Sequence, residues 1–213
     1  MAKKPIFDYD LIVIGSGAGG SAAATIAARE GKRVAIVEAD TFGGESPNWS
    51  DVPTKALLHA AQLYDEARHG ARFGLRSSTL GYNYPSLRAW KELAVKRTCA
   101  AGNRRFYEAQ GIDAIAGRAH FLTPNEISVN RRHLSASHFI VATGSKWTAP
   151  DIQGLADIAY LTPRTILETI RPPKSLYVIG AGATGVEIAQ LMATFGTKVY
   201  LAEIAARILP KEE

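Results

Sequence analysis

A chain of 213 residues, 46% hydrophobic and 21% charged, can bury a sizeable core and carries too little charge for a disordered segment. Its net charge of +5 comes from short, separated groups (GKR, GNRR, NRRH), which read as a solvated basic surface and not as a nucleic-acid footprint. A single cysteine, Cys99, excludes an intrachain disulfide, and no Cys/His cluster has ligand spacing, so no metal is expected.

The opening MAKKPIFDYD has no apolar targeting core, and the default location is cytoplasmic. Residues 11–28 lack a charge, but glycines interrupt them, so they read as a strand, a tight turn and a buried helix and not as a membrane span. Residues 11–14 form the strand, 21–29 a small-residue helix stopped by Gly31, and 33–37 a second apolar strand: a βαβ unit. A helix over about 52–68 carries Ala56, Leu57, Ala60, Leu63, Tyr64 and Ala67 and ends at Gly70. A long helical pattern follows from about Ser86 to Gln110, with Val95, Cys99, Gly102 and Phe106 in one line, so Cys99 reads as a small buried side chain. From 112 to 143 the texture becomes short alternating strands, a meander closing on HFIVATG.

Composition shifts near Pro150, and RPPKS punctuates the chain at 171–175. A second βαβ pattern then begins, SLYVIGAGATGVEIAQLMATFGTKVYLAEIA, its first glycine 165 positions after the first glycine of the other. One such unit cannot cover its own apolar faces. The second domain is therefore expected to be completed by residues beyond 213 or by another chain.

Gly15, Gly17 and Gly20 form GxGxxG directly after a strand, the pattern that brings a bare backbone and a helix N-terminus to a pyrophosphate. Glu38, 23 residues on, stands at the end of the next strand, where a carboxylate can accept from a ribose diol. Gly180, Gly182 and Gly185 repeat the motif, with Glu203 again 23 residues on. An acid there favours NAD over NADP, a preference that Arg207 could soften. Two dinucleotide sites in one chain imply electron transfer between a nicotinamide and a flavin.

With these motifs the chain resembles the FAD-dependent pyridine nucleotide–disulfide oxidoreductases, the family of dihydrolipoamide dehydrogenase, glutathione reductase, mercuric reductase and soluble transhydrogenase. The resemblance rests on DLIVIGSGAGG, GGESPNWSDVPTKALL, GRA at 117–119, IVATGS at 140–145 and VIGAGATGVEIA. It implies an α/β fold: a Rossmann-like FAD-binding domain with a β-meander over 1–149, followed by the first βαβ unit of a truncated NAD-binding domain over 150–213. FAD contacts are implied for Gly15, Ser16, Gly17, Ala18, Gly19, Gly20, Glu38, Ala39, Gly43, Gly44, Lys55, Gly117, Ala119, Ala142, Thr143 and Gly144. NAD contacts are implied for Gly180, Gly182, Gly185 and Glu203.

In the disulfide-using members two cysteines form the redox centre in the loop that reads GGESPNWSDVPTK here, and those positions hold Ser46 and Asp51. Neither side chain can exchange a disulfide. Asp51 is read either as the N-cap of the following helix or as a carboxylate set against the flavin. Ser46 is read either as a plain loop residue or as a catalytic hydroxyl. Lys55 and Glu187 match a lysine–glutamate pair that the family places by the flavin, so Lys55, Glu187, Asp51 and Ser46 are the catalytic candidates. Ala183 stands where many relatives carry a shielding tyrosine. The family's acid–base histidine and a second FAD-binding aspartate belong beyond residue 213.

The implied function is NAD(P)H oxidation through FAD without a dithiol, in a homodimeric full-length protein with a small-molecule acceptor and no nucleic-acid or membrane partner. Two alternatives stay open: an inert FAD-binding assembly protein, and a dithiol reductase fragment disabled by mutation.

Overall fold

A computed structural model describes residues 7–76, 80–98 and 103–213. Cys99 lies outside the described residues. In chain order the elements are β1 (Tyr9–Ile14), α1 (Ala18–Arg29), β2 (Val34–Glu38), α2 (Glu45–Trp49), α3 (Asp51–Arg68), α4 (Tyr84–Arg97) and α5 (Arg104–Glu108). They continue with β3 (Asp113–Ala116), β4 (His120–Thr123), β5 (Glu126–Val129), β6 (Arg132–Val141), α6 (Pro163–Ile166), β7 (Ser175–Ile179), α7 (Ala183–Thr194) and β8 (Lys198–Ala202). The chain divides into two compact units, Met1–Asn48 with Lys96–Ala149 and Trp49–Val95 with Pro150–Glu213.

The first unit is built on a six-stranded sheet in the order β3-β2-β1-β6-β5-β4. Strands β3, β2, β1 and β6 run parallel, while β6, β5 and β4 form the antiparallel meander. The strand β6 serves both: Arg132 to Ser135 pair with β5, and Ala136 to Val141 pair with β1. The central strands read as near-continuous apolar runs because both faces are covered. Val13, Val34 and Ile36 pack on one face with Ala24, Phe42 and Tyr107, and Ile12, Ala35 and Val37 pack on the other with Ile127, Val129 and Leu134. Helix α1 buries only Gly20 and Ala24, one turn apart, so its backbone lies close to the sheet. The uncharged run at 11–28 is thus β1, its turn and most of α1, and no helix among the described residues is long and apolar enough to cross a membrane.

At the start of β1, Arg33 donates from Nη2 to Asp10 Oδ1 at 2.9 Å and from its backbone N–H to Oδ2 at 2.9 Å. These bonds hold the Asp10 carboxyl at about 2, below an ordinary 3.8. A depressed folded-state value stabilises the fold above the unfolded value, and the contribution disappears as pH falls through the folded one. The stability difference between the native chain and Asp10→Asn should therefore be full above pH 3.8 and vanish near pH 2, as read from urea melts across that range.

In the second unit β7 and β8 pair in parallel, Leu176 opposite Val199 and Ile179 opposite Ala202. Its core joins Leu57 and Ala61 of α3, Ile166 of α6 and Ile188, Leu191 and Met192 of α7. The lysine of α4 is a surprise there. The Lys91 side chain is 2% exposed, and its ammonium donates to Glu168 Oε1 at 2.6 Å and to the Leu167 carbonyl at 3.1 Å. Glu168 and Glu92, whose Oε1 lies 2.9 Å from the same ammonium, are half exposed and can be rehydrated, so losing the charge leaves only the Leu167 carbonyl without its donor. Lys91→Met should cost about 1 kcal/mol and Lys91→Ala about 3 kcal/mol, the difference being the emptied space around the buried stem. Chemical denaturation of the two variants measures both.

Three differences from the sequence expectation are local. The helical pattern over 86–110 is two helices, α4 and α5, because α4 ends at Arg97 and a new helix starts at Arg104. The strand β3 is not part of the meander: it pairs in parallel with β2, Glu38 opposite Ala116. The N-cap of α3 is Ser50, whose side chain makes no capping bond, and Asp51 is the first helical residue.

Candidate cofactor sites

The first glycine turn connects β1 to α1. Gly15 sits at φ +100°, and a Cβ there would meet the Ala142 carbonyl oxygen at 2.2 Å. A Cβ on Gly20 would lie 1.9 Å from the Gly15 carbonyl oxygen, so helix and strand can approach only with glycine at 20. Gly17 is different. Its backbone is extended (φ −65°, ψ −172°), and a Cβ there would meet nothing within 4 Å. Nothing among the described residues requires glycine at 17.

The second turn repeats the last two features but not the first: Gly180 sits at φ +99°, yet a Cβ there would meet nothing within 4 Å among the described residues. A Cβ on Gly185 would lie 1.9 Å from the Gly180 carbonyl oxygen, whereas one on Gly182 (φ −71°, ψ −178°) meets nothing within 4 Å. In both copies the third glycine answers to packing and the second answers to nothing among the described residues. A bare backbone kept twice at the N-terminus of a 12-residue helix suits an anionic ligand that must come close.

The acids occupy equivalent places too. Glu38 Oε2 accepts from the Ser16 N–H at 2.8 Å and the Ser16 hydroxyl at 2.7 Å, and Oε1 accepts from the Asp40 N–H at 2.9 Å. Glu203 Oε2 accepts from the Ala181 N–H at 2.7 Å, and Oε1 from the Ala205 N–H at 3.0 Å. The Ala205 bond, then the Ala181 bond, hold the Glu203 carboxyl below the usual range.

In the first unit the remaining candidates gather at the same edge, the C-terminal ends of the parallel strands, where open α/β sheets bind ligands. The Gly117 N–H donates to the Glu38 carbonyl at 2.7 Å just beyond β3, and Ala119 packs against the core beneath. The Ala142 N–H donates to the Ile14 carbonyl at 2.7 Å just beyond β6, with Thr143 and Gly144 next in sequence. Ala18 and Gly19 open α1, and Ala39 follows Glu38. Gly43 and Gly44 belong to a loop whose Gly43 N–H donates to the Ser16 hydroxyl at 3.0 Å. Ser46 is half-buried in α2.

In the second unit Lys55 of α3 donates to both oxygens of Glu187 on α7, at 2.7 and 2.9 Å. Asp51 Oδ1 lies 3.6 Å from the same ammonium, one turn away. The Glu187 bond is the main cause that raises the Lys55 pKa, so the ammonium stays charged. Arg207, the residue with a bearing on NADP, donates to the Glu212 carbonyl.

Several residues of this architecture carry no signal in the sequence. Asn48 donates to the carbonyls of Phe42 and Gly44 at 2.9 and 2.8 Å and holds that loop closed. The Tyr107 hydroxyl, on a fully buried ring, donates to the Ser16 carbonyl at 3.2 Å. The Arg164 guanidinium stacks 3.8 Å over the Trp49 ring, two residues before Asp51. All three partners are distant in sequence or ordinary in type.

Known proteins similar to this chain are numerous. The mercuric reductase of Streptomyces lividans is 39% identical over 215 residues, covering 96% of this chain and 44% of its own. The dihydrolipoyl dehydrogenase of Acholeplasma laidlawii is 33% identical over 209 residues, covering 95% and 62%. Among solved structures, the Cu(II) complex of a cysteine-to-serine mutant of the HOCl-induced flavoprotein disulfide reductase RclA from Escherichia coli superposes with a TM-score of 0.79 at 26% identity, covering 98% of this chain and 45% of that one. The chain spans less than half the length of the Streptomyces relative and 62% of the Acholeplasma one. Since the family model for pyridine nucleotide-disulphide oxidoreductases also matches residues 9–213, the two glycine turns and their acids have a common explanation: the chain belongs to that family.

Proposed function

We propose that the protein is an FAD-dependent oxidoreductase that takes hydride from a nicotinamide dinucleotide and delivers electrons to an acceptor other than a dithiol. The observation that carries this is the pair of glycines, 17 and 182, that nothing among the described residues requires. Each lies at a helix N-terminus with an anchored carboxylate on the neighbouring strand.

In this reading residues 1–149 hold FAD and 150–213 begin the NAD-binding domain. The residues at the strand ends fit that cofactor: the α1 N-terminus would face the pyrophosphate and Glu38 the ribose diol. FAD, when bound, supplies a two-electron acceptor for hydride. Glu203 would take the ribose of NAD, since an acid at that strand end favours a free 2′-hydroxyl. Lys55, kept charged by Glu187, would stabilise negative charge as hydride arrives. By the resemblance, Ser46 and Asp51 stand where the family's redox cysteines do, and neither side chain can exchange a disulfide. The full-length form is a cytoplasmic homodimer in this reading.

An absorption spectrum after incubation with FAD and removal of free ligand tests the first half of the proposal. A stoichiometric, protein-shifted flavin band supports it, and its bleaching by NADH under anaerobic conditions supports the second half. A flavin that is retained but not reduced favours an inert FAD-binding protein. No retained flavin removes the enzyme reading of this chain.

A further inference from the structure

The two glycine turns differ in one side chain at their centre. Ser16 and Ala181 hold the same place, and both are fully buried. The Ala181 turn offers its carboxylate one backbone donor. The Ser16 turn offers two, because the hydroxyl joins the N–H on Glu38 Oε2.

That hydroxyl is used in both directions. Its one proton goes to Glu38, and it accepts from the Gly43 N–H at 3.0 Å. The Ser16 carbonyl in turn accepts from Tyr107. The loop that Gly43 belongs to sits tightly on the turn, since a Cβ on Gly44 would lie 2.6 Å from the Gly17 Cα. A hydroxyl fixed by a donor on one side and an acceptor on the other cannot rotate away from the carboxylate. Two donors converging on Oε2 hold the Glu38 side chain in one orientation before any ligand arrives.

We infer that Ser16 is a positioning residue: it pre-orients Glu38 for the ribose of the first dinucleotide and makes this turn the tighter of the two sites. The inference rests on the reading of that site as an FAD site. A carboxylate already held in its bound orientation loses less freedom on binding, which favours a resident cofactor. The Ala181 turn, with one donor fewer, suits a dinucleotide that must leave after each turnover.

The test is FAD titration of the whole chain, followed by flavin fluorescence, in the native protein, Ser16→Ala, Glu38→Ala and the double variant. Ser16→Ala should weaken FAD about tenfold, the upper end of what ordering one freed side chain on binding costs. In the Glu38→Ala background the same change should alter affinity by less than about twofold, because its target is gone. FMN, which lacks the adenosine half, should bind the native protein and Ser16→Ala alike. Unchanged FAD affinity in Ser16→Ala overturns the proposal. So does a tenfold loss that persists in the Glu38→Ala background, which would mean that Ser16 acts only through the Gly43 loop. If Ser16→Ala does not fold, judged by far-UV circular dichroism, Ser16→Cys keeps the volume and is held to the same outcomes. A native chain that fails to retain FAD at all removes the cofactor reading and this proposal with it.

Discussion

Gly17→Ala and Gly20→Ala, three residues apart in one turn, should fail in opposite ways. At 20 a methyl group would stand 1.9 Å from the Gly15 carbonyl oxygen, which is backbone and cannot step aside. Helix α1 must then lift off β1, and the sheet face formed by Val13, Val34 and Ile36 loses its cover. A loss of about 3 kcal/mol or more is expected, a large share of the stability of a typical domain. At 17 the backbone is extended and the space is open, so stability should change by less than about 1 kcal/mol. The cost there appears on binding, because the methyl occupies the approach of the pyrophosphate, and FAD affinity should fall by about 100-fold. Urea melts and FAD titrations of the two variants give the comparison. A Gly17→Ala protein that binds FAD as well as the native chain would remove the main support for the cofactor site.

Lys55→Met in the FAD-loaded protein should slow anaerobic flavin reduction by NADH about 100-fold, the usual effect of removing one charge that stabilises a developing anion. FAD affinity should change little. Stability should fall by no more than about 1 kcal/mol, since Lys55 is 54% exposed and its ion pair is screened by solvent. Glu187→Gln leaves the ammonium in place and should have a smaller effect on the rate. Stopped-flow reduction of both variants gives the order. A Lys55→Met protein reduced at the native rate would make the Lys55–Glu187 bond a pin between α3 and α7 and nothing more.

What the sequence made legible was local. Both βαβ units could be read from apolar runs broken by glycine, because strand, turn and helix each leave their own period over a few residues. The strand-end carboxylates could be read from their spacing to those glycines. Pairing partners could not. The short run of β3 reads the same whether it joins a meander or runs beside β2, and only the fold settles which. The periodicity over 86–110 also hid a break, since two short helices in one stretch keep a similar rhythm. Lys91 was illegible for another reason. A lysine reads as surface until its partners, Glu168 and the Leu167 carbonyl, are known to be near. The same holds for Ser16, whose hydroxyl matters only because Gly43 and Glu38 meet there.

The double service of β6 has a consequence for how the chain folds. Strand β1 is flanked on one side by β2, which emerges soon after it, and on the other by β6, whose Ser137 bonds to Asp10 across 127 residues. During synthesis β1 and β2 can pair early, but the other edge of β1 waits until β6, 127 residues later, has left the ribosome. The intervening stretch includes α3 and α4, which belong to the other compact unit. Closing so long a loop is slow, and an apolar strand edge left open meanwhile is a site for pairing between nascent chains. Refolding should accordingly depend on concentration, with the late step being the arrival of β6.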